Sequence, residues 1–95
     1  MTVIIVLWSD EGSSDYKTID GVFHATDELL TPDKRSVNDD FKLRIYSEWY
    51  DDYYLEAAPG EPAPKPNTVA EYEALMYPMR IEYWFEVRSV VNFND

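Results

Sequence analysis

The chain reads as an α+β domain: a small antiparallel sheet of about three strands with helices packed on one face. Three observations predict this. A nearly all-apolar, β-branched run, Thr2 to Ser9, is followed after a polar turn by a second strand-like run, Tyr16 to Phe23. A tyrosine-rich central segment repeats its apolar residues at helical spacing. The last part, Met79 to Phe93, alternates apolar and polar residues with period two.

The first run has almost no polar positions, which predicts a strand covered on both faces and hence central in the sheet. Asp10-Glu11-Gly12-Ser13-Ser14-Asp15 is a cluster of turn formers, short enough to make the next strand antiparallel. Gly21 inside the second strand predicts a bulge or a close backbone approach. Thr26 then suits the cap of a short helical turn through Leu30, with Asp27 and Glu28 at its positive end. Thr31-Pro32-Asp33 suits the start of another turn, because proline is tolerated at the first helical position.

The main helix is expected after Ser36. Leu43, Tyr46, Tyr50, Tyr53 and Ala57 follow steps of three and four along one face, with Trp49 and Tyr54 on its flanks. Arg44, Glu48, Asp51, Asp52 and Glu56 take the other side. Phe41 and Ile45 fall off this stripe, and Phe41 to Ile45 also alternates as a strand would, so both readings stay open for residues 41–46. Ala58 to Asn67 holds four of the six prolines and is expected to run as an extended, polyproline-like connection. Thr68, three residues before Glu71, has capping-box spacing for a helix from Val69 to Tyr77, stopped by Pro78. In the final strand Met79, Ile81, Tyr83, Phe85, Val87, Val91 and Phe93 share one face. Arg80, Glu82, Trp84, Glu86, Arg88 and Asn92 share the other, where Trp84 is the odd member.

Ninety-five residues make one domain, 1–95, with apolar residues at 45% and enough of them for a core. Against 8 Lys and Arg stand 19 Asp and Glu, a net charge of −11. Such a charge repels nucleic acid and anionic membrane and attracts basic surfaces, besides favouring solubility. The absence of cysteine excludes disulfides, thiolate metal sites and a cysteine nucleophile. Met1 to Trp8 lacks the basic stretch and cleavage site of a secretory leader, and the apolar run Val3 to Trp8 is far shorter than the ~20 residues of a membrane span. The cytoplasm is the expected compartment.

Binding is favoured over turnover. His24 is the only histidine and no serine lies in a nucleophile-elbow context, so no catalytic residue is assigned. Gly12, Gly21 and Gly60 form no phosphate cradle, and no cofactor is expected. The acids fall in adjacent pairs, which on a helix diverge by roughly 100° and so rarely chelate one ion. The loop holding Asp10, Glu11 and Asp15 lacks the alternating order of a calcium site, and no metal is assigned.

The most informative segment is Glu48-Trp49-Tyr50-Asp51-Asp52-Tyr53-Tyr54, where aromatic residues are interleaved with acids. Nucleic acid needs cationic rails beside its stacking platforms, so a direct nucleic-acid role is not expected. A basic protein surface suits the segment, because rings supply area and carboxylates pair with Arg and Lys. The plainer reading makes the tyrosines the inner face of an amphipathic helix, and it still leaves the acids outside. The candidate partner-binding residues are Glu48, Trp49, Asp51, Asp52, Tyr53 and Tyr54, with Asp10, Glu11 and Asp15 as a second patch. Carboxylates on a small scaffold can also imitate DNA phosphates, which recur about every 1.7 Å of helix axis.

Trp8-Ser9-Asp10, Ile19-Asp20-Gly21-Val22-Phe23 and Thr26-Asp27-Glu28 together resemble small phage-type proteins of unassigned function. The resemblance implies a phage or mobile-element origin, residence in a host cytoplasm, and inhibition of host defence or host enzymes; it assigns no residue roles. The leading expectation is therefore an acidic inhibitor of a basic nucleic-acid-handling protein, of the anti-CRISPR or anti-restriction kind, acting as a DNA mimic. The alternatives are an interaction or structural module that offers an edge strand or the proline-rich segment, and, last, a carboxylate- or metal-dependent enzyme.

Overall fold

The computed structural model describes residues 1–58 and 60–90. It contains a three-stranded antiparallel sheet of order β2-β1-β3, built from β1 (Thr2–Ser9), β2 (Thr18–His24) and β3 (Glu82–Ser89). The N-terminal strand is central, as its apolar run predicts. Ile4 and Val6 point to the helical side and are fully buried. The expectation that β1 is covered on both faces is corrected, because every helix packs on the Ile4–Val6 side. On the open side Ile5 lies between Val22 and Glu86, and Leu7 between Ile19 and Trp84. Those cross-strand neighbours shield the alternate residues of β1 without a second layer.

The second strand begins at Thr18 rather than Tyr16, because Ser14–Tyr16 forms a 3-10 turn capped by the Ser13 side chain. Val6 pairs with Gly21 but Leu7 pairs with Ile19, so Asp20 is the extra residue of a β-bulge. Gly21 fits there because Phe23 folds back over it: a Cβ at Gly21 would lie 3.0 Å from the Phe23 ring.

Between sheet and helix, Asp27–Leu29 makes a 3-10 turn to which the Thr26 side chain contributes no cap, contrary to its spacing. The cap that matters is Asn38. Its Oδ1 accepts the Phe41 N–H at 2.9 Å, opening α1 (Asp39–Trp49), and its Nδ2 donates to the Glu28 carbonyl at 2.7 Å. Residues 41–46 are therefore helical, which settles the strand alternative.

The helix runs on through a π-helical turn, Tyr50–Tyr54, into α2 (Leu55–Ala57). The Leu55 N–H reaches back five residues to the Tyr50 carbonyl. This wide turn corrects the predicted stripe. Phe41, Ile45, Trp49 and Tyr54 are buried, spaced four, four and five apart, and Tyr46 and Tyr50 lie beside them. Leu43 and Tyr53 are only half-buried and Ala57 is exposed. A regular α-helix would have turned Tyr53 inward; one extra residue in the turn puts Tyr54 there instead.

The described part of the proline-rich segment carries no helix or strand, bends at Gly60 with φ of +77°, and is tied to the main helix. The Tyr50 hydroxyl donates to the Ala63 carbonyl, and the Ala63 N–H donates to the Tyr54 hydroxyl at 2.8 Å. Thr68 caps α3 (Val69–Met76) as its spacing predicts, accepting the Glu71 N–H and bonding the Glu71 carboxylate at 2.9 Å. Pro78 does not simply stop this helix: it sits inside a following 3-10 turn, Tyr77–Met79, that ends at Arg80 with φ of 62°. The last strand consequently starts at Glu82 and not at Met79, while the Val91 and Phe93 positions of that expectation lie outside the described residues.

Two clusters make up the core. Ile4, Val6, Leu30, Val37, Phe41 and Ile45 fill one end. Tyr46, Trp49, Tyr50, Tyr54, Tyr72, Met76 and Ile81 fill the other, an unusually aromatic set. Tyr46 joins α1 to α3 by donating to the Glu73 carboxylate at 3.1 Å. Burial, reinforced by the Glu73 charge, holds that phenol well above its ordinary pKa.

Candidate functional site

The acid–aromatic segment does not act as one surface. The helix divides it among the core, a cavity and solvent. Trp49, 3% exposed, and Tyr54, 6% exposed, belong to the core, so neither is the exposed ring that the segment predicts. Tyr54 is removed from any partner surface, and Trp49 meets solvent only at the wall of a cavity. The reason is the four-four-five spacing of the buried face across the wide turn. Glu48, Asp51, Asp52 and Glu56 remain exposed. Asp51 pairs with Lys65 at 3.0 Å, anchoring the proline-rich segment a second time.

Glu48, Trp49, Asp52 and Tyr53 come together in the wall of an open cavity of about 270 Å³. Trp8, Asp20, Ile45 and Tyr83 complete it. The cavity lies between the sheet and the helix near the end of β1. Trp8 stands edge-on to Tyr53 with ring centres 5.7 Å apart, and stacks on Tyr83 at 6.3 Å. Trp49 stacks on Tyr53 at 6.5 Å.

Asp20 reaches this wall because of the bulge. In a regular ladder Leu7 would pair with Asp20, on the helix-free side. The extra residue re-aims the carboxyl toward Trp8 and the helix. Desolvation there raises the Asp20 pKa above the ordinary carboxylate value. Burial, then the charges of Asp20 and Glu48, raise the phenol of Tyr83. The wall thus combines aromatic faces with a negative potential.

No cation among the described residues neutralises it. Among the described residues, Asp20, Glu48 and Asp52 take part in no ion pair. The protein's own cations sit over other rings: Lys17 over Trp84, Lys42 over Phe85, Arg44 over Phe23 and Lys65 over Tyr50. The Trp49 Nε1 is buried without a hydrogen-bond acceptor. No group of three or more His, Cys, Asp or Glu side chains among the described residues is arranged to hold a metal ion. Acids and aromatic rings share one wall, a combination suited to an organic cation.

Asp10, Glu11 and Asp15, the second predicted patch, are exposed on the turn that follows Ser9, at the same end of the sheet as Trp8. Ser9 is buried and its hydroxyl accepts the Glu11 N–H at 3.0 Å. Gly12 adopts φ of +66°, and the Arg80 side chain lies against it, bringing a cation to this turn. Sequence reasoning missed Trp8, Asp20 and Tyr83 as site residues. Gly21 was the available signal for the bulge, but not for which neighbour it displaces.

No helix among the described residues is long and apolar enough to cross a membrane. Comparisons with family models, with curated proteins and with solved structures returned no match.

Proposed function

We propose that the protein is a small acidic inhibitor that binds a basic, nucleic-acid-handling host protein, of the anti-restriction or anti-CRISPR kind. The supporting observation is the set of exposed acids carried by the main helix and its wide turn, Glu48, Asp51, Asp52 and Glu56, together with Asp10, Glu11 and Asp15 on the turn after β1. Proteins that handle nucleic acid present lysine and arginine toward phosphates, and such a surface is complementary to these acids. On this reading the carboxylates occupy phosphate positions and compete with DNA.

The test is capture from a bacterial lysate at low and high salt, followed by DNA displacement with the purified captured protein. A nucleic-acid-binding partner is expected, with binding that falls steeply as salt rises and is lost in the Asp51→Lys/Asp52→Lys double variant. Affinity indifferent to both salt and charge reversal would sink the proposal.

A second reading, an interaction module without mimicry, is favoured by the open face of the sheet. There Ile19 is 65% and Val22 58% exposed, beside the half-buried Val3 and Ile5. Under that reading Ile19→Lys and Val22→Lys abolish partner binding and the Asp51/Asp52 reversal does not.

A further inference from the structure

We propose that the cavity between β1, β2 and the main helix is a receptor for a single arginine side chain presented by the partner protein. The inference rests on the reading of a basic partner and adds where and how one of its residues is held.

The cavity is more than an acidic cluster. Trp8, Trp49, Tyr53 and Tyr83 supply aromatic surface, and Asp20, Glu48 and Asp52 supply charge on the same wall. Among the described residues these rings and acids are each without a cationic partner, while four other rings are covered by the protein's own lysines and arginine. The bulge brings Asp20, which remains exposed, to the cavity wall, where its carboxyl is partly desolvated and has no ion-pair partner among the described residues. Trp49, 3% exposed, forms part of the wall and its Nε1–H lacks an acceptor.

Arginine fits these features better than lysine. Its guanidinium is planar, weakly hydrated, stacks on aromatic faces, and carries five donors that bridge separated carboxylates. An ammonium is a compact, strongly hydrated point charge that gains less from the four aromatic rings of this wall.

The experiment follows the indole N–H resonances of the three tryptophans while N-acetylarginine amide is added at constant ionic strength. N-acetyllysine amide and tetramethylammonium serve as comparators. Saturable shifts of Trp8 and Trp49 with arginine amide are expected, with Trp84, on the opposite sheet face under Lys17, unmoved. Asp20→Asn and Asp52→Asn should each weaken binding about threefold or more, as loss of one partly screened carboxylate implies. Equal, non-saturating shifts with all three cations overturn the proposal, as does tighter binding of lysine amide or tetramethylammonium. The variants also separate the two levels of inference. If Asp20→Asn leaves salt-dependent partner binding intact and arginine amide does not bind, the receptor fails and the basic-partner reading stands. If arginine amide saturates the cavity but no basic partner binds, the reverse holds.

Discussion

The hydroxyl of Tyr54 accepts the main-chain N–H of Ala63 at 2.8 Å, while Tyr50, one turn earlier, donates to the carbonyl of the same residue. Two tyrosines thus satisfy both polar groups of one residue in a segment whose prolines lack N–H groups of their own. Tyr54→Phe leaves the Ala63 N–H unpaired against the helix. Urea unfolding should show a loss of about 1–3 kcal/mol, the usual cost of orphaning a buried donor. Stability equal to the parent's would mean that the N–H is served by solvent.

Gly21 is held small by Phe23, whose ring packs edge-on against Phe41 at 5.2 Å and lies under Arg44. Gly21→Ala forces that ring aside, and overpacking of this kind costs about 1–3 kcal/mol. The melting temperature should fall accordingly. A larger drop is expected for Gly21→Val, and equal tolerance of both substitutions would show that the Phe23 ring moves freely.

Asp20 has a folded pKa raised by desolvation, so between its ordinary and raised values the native protein holds a proton that the unfolded chain has lost. Its burden on stability is therefore present at neutral pH and is relieved as pH falls through the raised value. Asp20→Asn, which does not titrate, should be at least as stable as the parent near neutrality. On acidification the parent should gain on the variant, measured by parallel denaturation series. A parent that loses ground to Asp20→Asn as pH falls would contradict the sign.

Asn38 caps α1 and also ties the helix start to the Glu28 carbonyl. Asn38→Ala should cost about 1–2 kcal/mol, whereas Asn38→Asp keeps the cap and loses the amide donor to the Glu28 and Leu30 carbonyls. Amide exchange at Phe41 should speed up in the alanine variant and much less in the aspartate variant. Similar acceleration in both would place the stabilisation in the bonds to Glu28 and Leu30.

Much of this fold is legible in the residue pattern. Period two gave away the helix-facing residues Tyr83, Phe85 and Val87, and the β-branched run marked β1 as central. Thr68 and Gly21 announced a cap and a bulge. The site was half-legible: Glu48, Asp52 and Tyr53 line the cavity, but Trp8, Asp20 and Tyr83 reach it only through pairing across the sheet. Helical periodicity failed past Trp49 because it assumes a constant turn, and a π-helical turn is a tertiary choice. It depends on what Tyr53 finds to pack against, and Trp8 lies in a different segment. The open sheet face was missed for a related reason, since apolar neighbours on adjacent strands satisfy the same pattern as a second layer would.

The wide turn also works as a phase shifter between two neighbouring parts of the protein. Tyr53 faces the cavity and Tyr54 faces the proline-rich segment, yet they are consecutive residues. Deleting one residue between Tyr50 and Tyr53 would leave a regular helix with Tyr54 four residues after Trp49, still on the buried face. The grip on Ala63 would then survive while the outer side of the turn lost one position, so the extra residue serves the cavity wall and not the hold on the proline-rich segment.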